Sequence, residues 1–200
     1  GDIKSSYPNW ISKENNNNYQ QRVVIAHSLG PHLLEKQILQ NATDIVLLCS
    51  FSRFIPISGS SRSLKVALQG MYNSLGTANE KNMLTSFLKK ACYPEVFNGI
   101  HEGPIMNGLS IEGRKKLKSD LQLLIQTKGL PSNMPTKCRV LIIQGAEDSI
   151  IVPESRFHLK EDLTNHLDCP PSYWEIPKAG HLLLTPMLIK RVQTWLSMHQ

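Results

Sequence analysis

The chain has 200 residues, of which 40% are hydrophobic and 19% charged; this is the composition of one globular domain, or of one domain carrying an insertion, and it excludes a disordered or collagen-like chain. Its 22 Lys and Arg against 16 Asp and Glu give a formal net charge of +6. No apolar run reaches the ~18–20 residues that a membrane-spanning helix needs, the polar start Gly1 to Asn18 has no signal-like apolar core, and Cys49, Cys92, Cys138 and Cys169 are scattered without a C-x-x-C, so a reducing cytoplasm is expected rather than a disulfide scaffold or a zinc site.

Residues 1–21, rich in Asn, Ser and Lys, read as loop. Arg22 to Ala26 (RVVIA) is a β-branched run that predicts a buried strand. Leu33, Leu34, Ile38 and Leu39 recur at helical spacing and predict a helix over 29–40. Asp44 to Ser50 (DIVLLCS) is a second apolar strand, so the first fifty residues form a βαβ unit and a parallel sheet. From Phe51 to Pro135 the strand pattern stops. Leu64–Met71, Glu80–Cys92 and Ser110–Thr127 read as helices, the last with Leu117, Leu121, Leu124 and Ile125 on one face. The sheet resumes at Arg139 to Gln144 (RVLIIQ), followed by a helix from Pro153 to about Leu163, a strand at Ser172 to Ile176 and a final helix from about Pro186 to Met198. The organisation is an α/β core in two parts, 1–52 and 136–200, interrupted by a helical insertion, 53–135, of roughly lid size.

The charge is concentrated in that insertion. Between Arg53 and Asn133 there are 11 basic residues and 5 acidic ones, which accounts for the whole excess of 6. Two readings are open: a surface for an acidic macromolecule, or a solvated helical face with few acids. Nucleic acid is disfavoured because no aromatic residues interleave with the bases.

Strand 22–26 ends in Ala26-His27-Ser28-Leu29-Gly30 and runs straight into a helix. A tight strand–turn–helix of this kind lifts a serine hydroxyl above the sheet edge and needs small residues two positions to either side. The Leu29 N–H, directly after the serine, is placed to meet a developing oxyanion. Strand 139–144 runs into Gly145-Ala146-Glu147-Asp148, and strand 172–176 into Pro177-Lys178-Ala179-Gly180-His181. Each chemistry-bearing residue thus follows its own parallel strand, where sites form in open α/β sheets.

The order Ser28, Asp148, His181 resembles the α/β-hydrolase superfamily from about Arg22 to the end of the chain, with the helical insertion at the usual place of the lid. The resemblance implies an α/β fold with a mostly parallel sheet. It implies Ser28 as nucleophile, His181 as base, Asp148 as the acid with Glu147 its nearest rival, and Leu29 in the oxyanion hole. His27, inside the elbow, is expected to be structural. No cofactor or metal is implied. Complete members have several strands before the nucleophile strand, so the N-terminal strands are expected to be missing or supplied elsewhere, and strand 22–26 to lie at a sheet edge.

Within the superfamily, Ala-His-Ser-Leu-Gly-Pro-His-Leu-Leu followed by Leu-Leu-Cys-Ser-Phe-Ser-Arg-Phe resembles the esterases that cleave the methyl ester of pimeloyl-acyl carrier protein in biotin synthesis. This implies an acidic carrier protein as partner. Arg114, Lys115, Lys116 and Lys118, the densest basic cluster, are the residues expected to hold it. Another esterase or thioesterase on the same fold, or a non-catalytic binding protein, are the alternatives.

Overall fold

Parallel strands buried on both faces need apolar residues in unbroken runs, and the two central strands of the sheet are built from such runs. The computed structural model describes residues 8, 21–57, 59, 61–96 and 108–198; the loop expected over 1–21 lies outside them except for Pro8 and Gln21. β1 (Val23–His27), β2 (Asp44–Leu48), β3 (Arg139–Gly145) and β4 (Ser172–Ile176) form one parallel sheet in the order β1-β2-β3-β4. Alternate residues of each strand feed two cores. Ile45, Leu47, Val140 and Ile142 face one side with Leu39, Leu159 and Leu163, whereas Val46, Leu141 and Ile143 face the other with Leu188 and Val192. Full burial of a leucine such as Leu159 or Leu163 contributes about 1.5–3 kcal/mol.

Between β1 and β2 run two short helices, α1 (Gly30–Leu33) and α2 (Lys36–Gln40), in place of the single helix expected over 29–40. Leu34 and the residue after it take extended ψ values of 144° and 143°. The break leaves Leu39 fully buried with Leu34 and Ile38 packed beside it, and neither Leu34 nor Glu35 is a residue type that announces a break. Helix α6 (Pro153–His166) joins β3 to β4 on the face that α2 covers, and the last helix, α7 (Leu188–Ser197), covers the opposite face. Buried Asp44 pairs with Arg139, whose guanidinium stacks 4.8 Å from the Trp195 ring, so the foot of the sheet is tied to α7.

The segment between β2 and β3 carries α3 (Ser61–Ser74), α4 (Glu80–Cys92) and α5 (Ile111–Gln126). The Ser110 hydroxyl caps α5 by accepting from the Gly113 N–H at 3.0 Å. Phe51, Phe54, Leu68, Leu75, Leu121 and Ile151 form a third apolar cluster, which joins these helices to the carboxyl end of the sheet. Among the described residues β1 is one edge of the sheet, and its Ile25 is 56% exposed. No helix among them is long and apolar enough to cross a membrane.

Candidate active site

All four strands point their carboxyl ends at the same edge, so the turns after β1, β3 and β4 converge there. Ser28 follows β1 directly, with φ of 54°. A non-glycine residue in this left-handed region is strained, and the surroundings hold it there. The Ser28 N–H continues the ladder to the Leu48 carbonyl at 2.9 Å, and the Ser50 hydroxyl donates to the Ser28 carbonyl at 2.9 Å. Gln144 in turn donates through Nε2 to the Ser50 carbonyl at 3.0 Å. The spacing rule for the turn calls for a small residue at 30 rather than for glycine alone, since a methyl group there would lie an ordinary 3.5 Å from Ala26 Cβ.

The structure brings Ser28, His181 and Asp148 into one hydrogen-bonded chain. His181 Nε2 lies 3.1 Å from Ser28 Oγ, and Nδ1 lies 2.9 Å from Asp148 Oδ2. Asp148 Oδ1 accepts from the backbone N–H groups of Ile150 at 2.8 Å and Ile151 at 3.0 Å. Burial pushes the Asp148 carboxyl up, but the hydrogen bond and charge of His181, with the N–H groups of Ile151 and Ile150, outweigh it and leave the pKa below the ordinary value. Asp148 and His181 are both buried. Glu147, the rival acid, contributes its backbone N–H to the Ala179 carbonyl at 2.9 Å, and it is the Asp148 carboxylate that meets the histidine.

Glycines make the convergence sterically feasible. A Cβ on Gly145 would lie 2.4 Å from the carbonyl oxygens of both Ala179 and Gly180, so the acid turn and the histidine turn touch through bare backbone. A Cβ on Gly180 would lie 1.5 Å from the Tyr93 carbonyl oxygen, where the end of α4 presses onto the histidine turn. The Leu182 N–H donates to the Ala91 carbonyl at 3.3 Å, and the Ser149 hydroxyl to the Lys90 carbonyl at 2.9 Å. The helical insertion therefore buttresses both turns.

Leu29 caps α1, and among the described residues its N–H donates no backbone hydrogen bond; its side chain packs against the third apolar cluster. Sequence reasoning passed over Cys49, which follows β2 with φ of 40° and is fully buried. Potential donor atoms of Cys49, Asp148 and His181 lie within 4.8 Å of one another. Burial, and next the Asp148 charge, push the thiol far up, and its Sγ lies 3.8 Å from the Gly180 carbonyl as a neutral donor. Both ring nitrogens of His181 and both carboxylate oxygens of Asp148 are taken up by hydrogen bonds within the protein. The clue lay in the polar run Cys49-Ser50 directly after an apolar strand.

The basic cluster divides on inspection. Arg114 is clamped on Glu80 by two hydrogen bonds of 2.6 and 3.0 Å, with the Gly76 N–H adding a third to Glu80 at 2.7 Å. The Arg114 hydrogen bond is the main reason that the Glu80 pKa falls to about 2. Lys116 pairs with Asp120, Lys118 lies 5.1 Å over the Tyr72 ring, and Lys115 is exposed.

No family model matches the chain, and no curated protein sequence does. Solved structures do. A thermophilic esterase superposes with a TM-score of 0.50 at 21% identity over 87% of this chain and 62% of its own. MGS-M2, an α/β hydrolase from a Medee basin deep-sea metagenome library, gives a TM-score of 0.52 at 19% identity over 88% and 63%. BpoC of Mycobacterium tuberculosis H37Rv, assigned as a non-heme bromoperoxidase, gives 0.55 at 18% over 87% and 65%. The chain has the α/β-hydrolase fold. It spans just under two thirds of the length of each of these three proteins.

Proposed function

We propose that this chain carries the catalytic centre of a serine hydrolase acting on carboxylic esters. The observation that carries this reading is the continuous chain Ser28 Oγ, His181 Nε2, His181 Nδ1, Asp148 Oδ2, with the serine on a strained turn at the strand end. In the proposed reaction Ser28 Oγ attacks the ester carbonyl while His181 Nε2 takes the hydroxyl proton. Asp148 holds the proton of Nδ1 and steadies the imidazolium. The oxyanion forms beside the Leu29 N–H. His181 then protonates the leaving alcohol, and water repeats the sequence on the acyl-enzyme. The thermophilic esterase among the similar structures agrees with this reading.

For the substrate we favour the methyl ester of a pimeloyl chain carried on an acyl carrier protein. Two observations support this: the wording around Ser28 and Cys49-Ser50, and the excess of 11 bases over 5 acids between Arg53 and Asn133. Arg114 is committed to nearly buried Glu80, whereas Lys116 remains exposed in its pair with Asp120, so Lys115, Lys116 and Lys118 are the charges of the cluster that would meet an acidic carrier. Free Cys49, Cys92, Cys138 and Cys169 suit the reducing cytoplasm in which we place the protein. Hydrolysis of p-nitrophenyl esters of graded chain length, by the wild type and by Ser28→Ala, tests the reaction class. Activity that survives in the variant overturns it.

A further inference from the structure

Among the described residues, the sheet order places Ser28 and His181 after two opposite edge strands, β1 and β4. Three inter-strand intervals of about 4.8 Å, roughly 14 Å in all, separate those strand ends. The turn after β4 must therefore return across the whole top of the sheet for its imidazole to reach the serine. On the β3 side it is held by the Glu147 N–H on the Ala179 carbonyl, and from above by the Ala91 carbonyl on the Leu182 N–H. Neither these contacts nor the Cys49 Sγ contact to the Gly180 carbonyl, which comes from the turn after β2, reaches β1 itself.

His27 makes that link from β1. In the parallel register Ile25 lies beside Val46, which belongs to the core under α7, and His27 follows on the same face of β1. Its Nε2 lies 2.8 Å from the main-chain carbonyl oxygen of His181. Its ring stands 4.7 Å from the His181 ring, tilted by 55°. Burial lowers the pKa of His27, against the opposing effect of that carbonyl, so the ring is the neutral form with a single N–H, which the carbonyl draws to Nε2. Among the described residues this is the hydrogen bond that ties the backbone of the histidine turn to β1. It acts on the residue whose ring must stay 3.1 Å from Ser28 Oγ.

We infer that His27 is a positioning residue, which sets the reach of His181 by donating its Nε2 proton to the His181 carbonyl. The inference rests on the serine-hydrolase reading for its consequence in rate, although not for the contact itself. A glutamine carries its amide N–H about as far from the backbone as a histidine carries Nε2, whereas leucine offers bulk without a donor.

The experiment compares His27→Leu and His27→Gln with the wild type in ester kinetics and in the proton NMR signal of the His181 Nδ1–H facing Asp148. In His27→Leu, kcat falls on the order of 100-fold with KM little changed, the loss expected for a displaced catalytic group. The downfield resonance broadens away, and thermal unfolding remains cooperative. In His27→Gln, kcat returns to within a few-fold and the resonance reappears. A full-rate His27→Leu with a sharp resonance overturns the inference, as does a His27→Gln protein as impaired as His27→Leu. If the wild type cleaves no ester, yet the resonance is lost in His27→Leu and regained in His27→Gln, the hydrolase reading fails and the positioning contact stands.

Discussion

Replacing Asp148 by asparagine separates the charge of the acid from its geometry. The side chain keeps its shape, and the structure dictates which way the amide turns. Oδ1 accepts from two backbone N–H groups at 2.8 and 3.0 Å. Aiming the amide nitrogen at them would leave the part-buried Ile150 donor and the buried Ile151 donor unpaired, at about 1–3 kcal/mol for the buried one. The amide oxygen therefore stays on Ile150 and Ile151, and the NH2 faces His181 Nδ1. The imidazole must then accept at Nδ1 and carry its proton on Nε2, facing Ser28 Oγ, where it can no longer take the hydroxyl proton. A loss of about 10⁴-fold in kcat is expected on the precedent of the same exchange in a serine protease. The assay is kcat/KM on a soluble p-nitrophenyl ester, with Glu147→Gln as the control. A loss of less than tenfold in Asp148→Asn, or an equal loss in Glu147→Gln, would refute the assignment of the acid.

The remaining expectations concern stability and partner. Gly180→Ala places a methyl group 1.5 Å from the Tyr93 carbonyl oxygen, whereas Gly30→Ala makes an ordinary contact at 3.5 Å, so thermal unfolding should fall clearly for the first and barely for the second. Glu80 has a depressed pKa in the folded chain; its contribution to stability is therefore fully present above the ordinary value of 4.5 and is lost as pH falls toward about 2. Urea midpoints of wild type and Glu80→Gln should accordingly differ by a constant amount at neutral pH and converge in acid; a gap that widens in acid contradicts the sign. Reversing Lys115, Lys116 and Lys118 to Glu should lower kcat/KM on a carrier-linked ester and spare a small soluble one. High salt should mimic the change, because exposed charges are screened beyond about 8–10 Å; equal losses on both substrates would argue against a carrier surface.

The two central strands were legible because they are buried on both faces, which gives the short continuous apolar runs DIVLL and RVLIIQ. The turns after β1, β3 and β4 were legible because glycine, serine and acid fall directly after such runs. Helix ends were less so. The break at Leu34 serves the packing of Leu39, which no local residue type announces. Helix α7 begins at Leu188 rather than near Pro186 because Met187 adopts φ of 68°, a conformation imposed by tertiary context. Long-range pairings were hidden altogether. Arg114 reads as one of four neighbouring cations until Glu80, 34 residues away, is found to hold it. Cys49 reads as strand until its turn carries it beside Asp148 and His181.

The proposed chemistry requires Ser28 to be an activated nucleophile. Incubating the folded wild-type chain with a fluorophosphonate probe and mapping the modified peptide by mass spectrometry asks this directly, without any assumption about the substrate. Stoichiometric modification at Ser28, abolished in Ser28→Ala and strongly slowed in His181→Ala, is the predicted result. A folded chain that stays unmodified, or one that is modified equally well in His181→Ala, would contradict it.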